Sequence, residues 1–171
     1  RDYYGLTRKA STKFREETKM TGMMGGFSPV VDGTYVIQHP FFPEGSDLAS
    51  DIPMIVCSTF YERSPSSFDS SLEDITLDKA KELVKTMRGF GPALGDNGSS
   101  VIEAYARSFP DRKPIEILSM VLSNRKNAIE LCNVKARQAA PLFLAWFGWN
   151  PPMFDSRLRA FHTMDISFWF Y

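Results

Sequence analysis

The alternation of apolar and polar positions divides the chain into stretches of different character. From Leu6 to Met20 the residues are mostly Lys, Arg, Glu and Thr, with no continuous apolar stripe. Such a pattern predicts a solvated helix or a linker, ended by Gly22, Gly25 and Gly26. Phe27 to Gly33 (Phe-Ser-Pro-Val-Val-Asp-Gly) reads as a short strand closed by an Asp-Gly turn, and Gln38 to Pro53 as a proline-rich surface loop. Met54-Ile55-Val56-Cys57-Ser58-Thr59 is continuously apolar before turning polar, as in a strand covered on both faces of a parallel sheet.

Helical spacing follows. Ala80, Leu83, Val84 and Met87 form one apolar stripe with Gly89 as its stop signal. Val101, Ile102, Tyr105, Ala106 and Phe109 form a second, between the capping candidates Asn97 and Ser99 and the breaker Pro110. From Pro114, a favourable first-turn residue, helical character runs to about Gln138, as one helix or two. Pro141 to Phe147 is a second buried strand closed by Gly148, Asn150-Pro151-Pro152 is a turn, and His162 follows in a loop of large apolar residues.

Strand, helices, strand is the order of an α/β crossover joining two parallel strands. Two strands cannot cover each other's outer edges, so a sheet this apolar is expected to need further strands beside it. The ends agree with that expectation. The chain starts at Arg1 and stops at Tyr171 inside Ile-Ser-Phe-Trp-Phe-Tyr, whereas natural termini are usually polar and loosely held. We therefore expect a piece of something longer.

Composition narrows the function classes. With 171 residues, 43% of them hydrophobic, the chain is large enough for one core and too apolar for intrinsic disorder. Twenty basic residues against 20 acidic ones leave no surplus to neutralise phosphates, which argues against a nucleic-acid binder. No apolar run is long enough to span a bilayer. The two cysteines, Cys57 and Cys132, are too few for a disulfide scaffold or a four-thiolate zinc site, and read as small buried side chains. No cofactor or metal is implied.

The chemistry then rests on few residues. Of two histidines, His39 lies in a proline-flanked loop and reads as structural or solvated. His162 alone would be core filler, but strand order changes its meaning. Open parallel sheets bind ligands at the carboxyl ends of their strands. Glu62 follows the first strand and His162 follows the second, so neighbouring strands would let the two side chains converge. A carboxylate accepting the imidazole Nδ1–H fixes the tautomer and leaves Nε2 to act as general base. Acid before base, with the nucleophile earlier still, is the chain order of α/β-hydrolases.

Here the sequence resembles a known family, the type B carboxylesterases (cholinesterase-like α/β-hydrolases), over most of the chain from Phe27 onward. Phe27 to Gly33 is similar to the family's Phe-x-Pro-Val-Val-Asp-Gly strand. Asp51 to Glu62 resembles the strand that leads to the triad acid, and Phe161 to Phe170 the His-x-x-Glu/Asp-Ile/Leu-x-Phe-x-Phe segment that carries the triad histidine. The resemblance implies a partial α/β-hydrolase fold over residues 27–171, with parallel strands of a larger mixed sheet, and leaves residues 1–26 as a helix or linker of uncertain origin. It makes Glu62 the acid, His162 the base, and Asp165 the counterpart of a Glu that supports the histidine loop; Asp165 read without the family is a surface or helix-capping acid. Cys57 departs from the family's usual Gly, and Arg63-Ser64 from the Gly after the acid.

No Gly-x-Ser-x-Gly elbow occurs in the sequence. The string Gly26-Phe27-Ser28-Pro29-Val30 lacks the final Gly, and Pro29 has no N–H to donate to an oxyanion. The expected function is thus part of a serine carboxylesterase, inactive alone, with an ester substrate and a separate amino-terminal portion holding the serine and oxyanion loop as its partners. Trp146, Phe147, Trp149, Met153, Phe154 and Phe161 read as core or as the lining of an acyl or alcohol pocket. The alternative is a non-catalytic cholinesterase-like binding or adhesion protein; a stand-alone helical binding module is a weaker third.

Overall fold

In the computed structural model, residues 2–18, 29–89 and 93–170 are described. The chain divides into two compact units, Arg1–Pro40 and Phe41–Tyr171. In the first, the stretch read as a solvated helix or a linker contains helix α1 (Tyr3–Thr18), with Tyr3, Tyr4 and Leu6 exposed. Asp2 caps it, its Oδ1 accepting the Gly5 N–H at 2.8 Å. Gly22, Gly25, Gly26, Phe27 and Ser28 lie outside the described residues. The remainder of the expected strand, Pro29 to Gly33, is not a strand. Asp32 prevails over β pairing there: its Oδ1 accepts the N–H groups of Thr34, Tyr35 and Val36 at 2.9–3.0 Å, and Gly33 supplies the left-handed φ of 73°.

The second unit holds the crossover. Strand β1 (Met54–Thr59) pairs in parallel with β2 (Leu142–Phe147), in register from Met54 opposite Leu142 to Thr59 opposite Phe147. Between them run α2 (Leu77–Leu83), α3 (Gly98–Ser108), α4 (Pro114–Val121) and α5 (Arg125–Lys135); α6 (Ile166–Trp169) follows β2. The helical periods of the sequence are all present, and the stretch after Pro114 is two helices. Pro114 opens α4, where Glu116 reaches back to accept the Lys113 N–H at 3.0 Å. The first stripe departs only at its end: α2 stops at Leu83, and Val84 to Thr86 continue as turns.

The apolar stripes meet in one cluster. Ala80, Val84, Ile102, Ile115, Ile117, Leu118 and Leu122 are buried together, with Leu83, Met87, Tyr105 and Phe109 packed around them. Lys135, buried at the end of α5, fastens the segment ahead of β1. Its Nζ donates to the Ala49 carbonyl at 2.5 Å and to Gln138 Oε1 at 2.8 Å, while Gln138 Nε2 donates to the Ser46 carbonyl.

The strands are not buried on both faces, as their composition led us to expect. Ile55 and its register partner Phe143 are 59% and 61% exposed, and Leu144 is also exposed. Helix α5 packs against the sheet, and among the described residues no further strand pairs with either outer edge. Among the described residues no helix is long and apolar enough to cross a membrane.

Candidate active site

β1 ends in a tight turn, and Glu62 folds back from that turn onto the strand it has just left. Its Oε1 accepts from Ser58 Oγ and from the Thr59 N–H, both at 3.2 Å. These two donors leave Oε2 pointing away from the strand end. The carboxylate side chain is 10% exposed.

His162 arrives from the loop after β2, which is held in an unusual backbone. Phe154, Asp155, Ser156, Arg159 and Thr163 all have φ between 52° and 71°, and they are the described non-glycine residues with positive φ. Each such residue costs on the order of 1 kcal/mol or more, so the surrounding contacts must impose the conformation. Those contacts are visible. Asn150 Oδ1 accepts the Ala160 N–H at 3.0 Å, the Ala160 carbonyl accepts the Tyr61 N–H at 3.2 Å, and the Glu62 carbonyl accepts the His162 N–H at 3.3 Å. The loop is therefore laid along the turn that carries Glu62.

The consequence is a direct side-chain pair. His162 Nδ1 lies 2.6 Å from Glu62 Oε2, a short charge-assisted distance. With a carboxylate as acceptor, Nδ1 is the protonated nitrogen. The imidazole is 59% exposed against 10% for the carboxylate, so the carboxylate is sheltered and the ring faces outward. The structure thus brings together, at the carboxyl ends of two adjacent parallel strands, the two residues selected from the sequence. The arrangement can orient an imidazole, fix its tautomer and stabilise its protonated form.

A buried ionic network lies next to the pair, and sequence reasoning missed it. Arg159, three residues before His162, is 4% exposed. Its Nη1 donates to Ser64 Oγ at 3.2 Å, to Ser66 Oγ at 2.9 Å and to the Arg157 carbonyl at 3.0 Å, and its Nη2 donates to Glu73 Oε1 at 2.6 Å. Glu116 Oε1 sits 3.9 Å from Arg159 Nε and accepts the Tyr61 hydroxyl at 3.1 Å. Burial pushes the Glu73 carboxyl up, but the Arg159 hydrogen bond and the nearby charges of Arg159 and Lys113 hold it below the usual range. Tyr61, buried and beside the Glu116 charge, is pushed up to about 12. A lone Arg in a loop carries no sequence signal for such a network; its side-chain partners are 43 to 95 residues away.

The other candidates fall elsewhere. His39 is exposed, in the first unit. Asp165 sits at the start of α6 but makes no capping bond; its Oδ2 accepts the Trp169 indole N–H at 3.1 Å. Cys132 is buried as expected, whereas Cys57 is only half-buried. Burial raises the Cys57 thiol, and the hydrogen bond to Asp165 and its negative charge raise it further. Of the aromatic set read as core or pocket lining, Trp149, Met153 and Phe154 are 48–60% exposed and so do not form core. Trp149 and Phe147 instead flank Phe168, at ring-centre distances of 5.5 and 5.1 Å. A cleft of about 390 Å³, lined by Arg63, Pro65, Phe68, Leu72, Met87 and Leu122, borders the segment after Glu62. Among the described residues, no group of three His, Cys, Asp or Glu side chains is placed to hold a metal ion. Neither a family model nor a curated protein sequence matches the chain.

Proposed function

We propose that this chain contributes the acid and base of a serine carboxylesterase, Glu62 and His162, and that the nucleophilic serine and the oxyanion donors lie on a portion outside these 171 residues. One observation carries the reading: the 2.6 Å bond between His162 Nδ1 and Glu62 Oε2 at the carboxyl ends of two paired parallel strands. In this reading the serine hydroxyl attacks the ester carbonyl while His162 Nε2 takes its proton. Glu62 holds the ring and stabilises the imidazolium. The proton then passes to the departing alcohol, and water, deprotonated by the same nitrogen, releases the acid from the acyl-enzyme. Trp149, Met153 and Phe154, exposed on the histidine loop, offer apolar surface to an acyl or alcohol group. The exposed Ile55–Phe143 side of the sheet supports a missing partner layer, because continuously apolar strands normally lie between two layers.

The complete reading frame tests this. A Gly-x-Ser-x-Gly upstream, together with labelling of the encoded protein by a fluorophosphonate that is lost in His162→Ala, supports the esterase. A frame with no such elbow, or labelling indifferent to both His162→Ala and Glu62→Gln, refutes it. An elbow whose serine is replaced points to a non-catalytic binding protein instead.

A further inference from the structure

The loop carrying His162 is held from two sides, and only one of them involves Glu62 itself. On one side are the backbone bonds from Tyr61 to Ala160 and from His162 to Glu62. On the other, the Arg159 guanidinium reaches into the segment that follows Glu62, binding Ser64, Ser66 and Glu73, with the Glu116 carboxylate close by. Five donors on a planar fork can meet several acceptors at fixed angles, which an ammonium cannot reproduce. The backbone at Arg159 and Thr163 is left-handed, with φ of 53° and 71° on either side of His162. A β-branched residue such as Thr163 does not settle there unaided. A glycine at 159 would adopt that φ freely; the arginine holds it against its backbone preference, and its side-chain contacts compensate.

We propose that Arg159 is a positioning residue for the Glu62–His162 pair: its buried guanidinium clamps the histidine loop to the Ser64–Glu73 segment and so sets the separation of imidazole and carboxylate. The inference rests on the reading of Glu62 and His162 as acid and base. It goes beyond that reading because the ring's placement is assigned to contacts neither residue makes. Arg159 touches no reacting atom. Tyr61 extends the clamp: its hydroxyl shares Glu116 with Arg159, and its N–H holds the Ala160 carbonyl, so the residues flanking the pair in sequence answer to one set of carboxylates.

The test uses the protein of the complete reading frame, labelled with 15N at histidine, with His162 assigned by its loss in His162→Ala. The wild type is expected to show His162 protonated at Nδ1, with a far-downfield proton that Glu62→Gln abolishes. Arg159→Gln is expected to lose that proton and to shift the ring toward the Nε2–H tautomer while a thermal melt shows a folded protein. Arg159→Lys restores the signature in part, because it returns the charge without the fork. A folded Arg159→Gln with an unchanged proton and tautomer overturns the proposal. If Arg159→Gln fails to fold, the Ser64→Ala/Ser66→Ala variant decides. It removes two of the guanidinium's acceptors without stranding a charge, and is expected to weaken the downfield proton; an unchanged signal overturns the proposal. A wild type lacking the signature overturns this inference and the acid–base reading together, whereas a signature sensitive to Glu62 but indifferent to Arg159 overturns this one alone.

Discussion

Replacing Glu73 by Gln removes the charge facing Arg159 while keeping the shape of the side chain. The pair lies at 2.6 Å with side chains 17% and 4% exposed, so water screens it weakly. Breaking a buried pair from one side costs about 3–5 kcal/mol when the remaining charge is stranded. Arg159 is not fully stranded, since Ser64, Ser66 and the Arg157 carbonyl stay in place and Glu116 remains 3.9 Å from Nε. We therefore expect a loss of about 2–3 kcal/mol at neutral pH, a large share of the ~5–15 kcal/mol that a domain commands. Urea unfolding of the wild type, Glu73→Gln, Arg159→Gln and the double variant should give a coupling of about 1.5–3 kcal/mol. Acid adds a second constraint. The carboxyl of Glu73 is held below its ordinary value, so its contribution is complete above the unfolded-state value of ~4.3 and is lost as pH falls through the folded one. The gap between wild type and Glu73→Gln should accordingly close in acid. A coupling under about 0.5 kcal/mol, or a gap that persists unchanged below that range, would show that the network is decorative.

Leu118, fully buried at the centre of the helical cluster, should cost about 2–5 kcal/mol on truncation to Ala in the same urea assay, and a loss under about 1 kcal/mol would contradict the packing. Cys57 should react with iodoacetamide more slowly than an ordinary thiol at pH 8, because burial and then Asp165 raise its pKa; Asp165→Asn should accelerate it while leaving Cys132, raised by burial alone, unchanged. Tyr61 should remain protonated at pH 10, where an unperturbed tyrosine is half ionised, so the ultraviolet difference between wild type and Tyr61→Phe should contain no phenolate there.

Local physics made a good part of the fold legible. Proline at the start of α4, apolar spacing near 3.6 in α2 to α5 and the two continuous apolar runs sufficed to order strand, helices and strand, and the parallel pairing followed from the long connection between the strands. The same order put Glu62 and His162 at matching strand ends, and hence within reach of each other. Where one residue's side chain competed with the backbone pattern, the pattern misled: Asp32 gathers three N–H groups and dissolves the expected strand after Pro29.

What the sequence by itself determined is therefore the order of strand, helices and strand and the two residues placed to meet. Periodicity and strand ends are local properties, and the right pairing of strands brings them together without further information. Only the tertiary structure decided how the meeting is held. The 2.6 Å contact depends on a left-handed loop, and that loop depends on a guanidinium whose partners Ser64, Ser66, Glu73 and Glu116 come from distant parts of the chain. Such contacts leave no period in the sequence, because a buried charge is specified by where its counter-charges converge in space rather than by its neighbours along the chain.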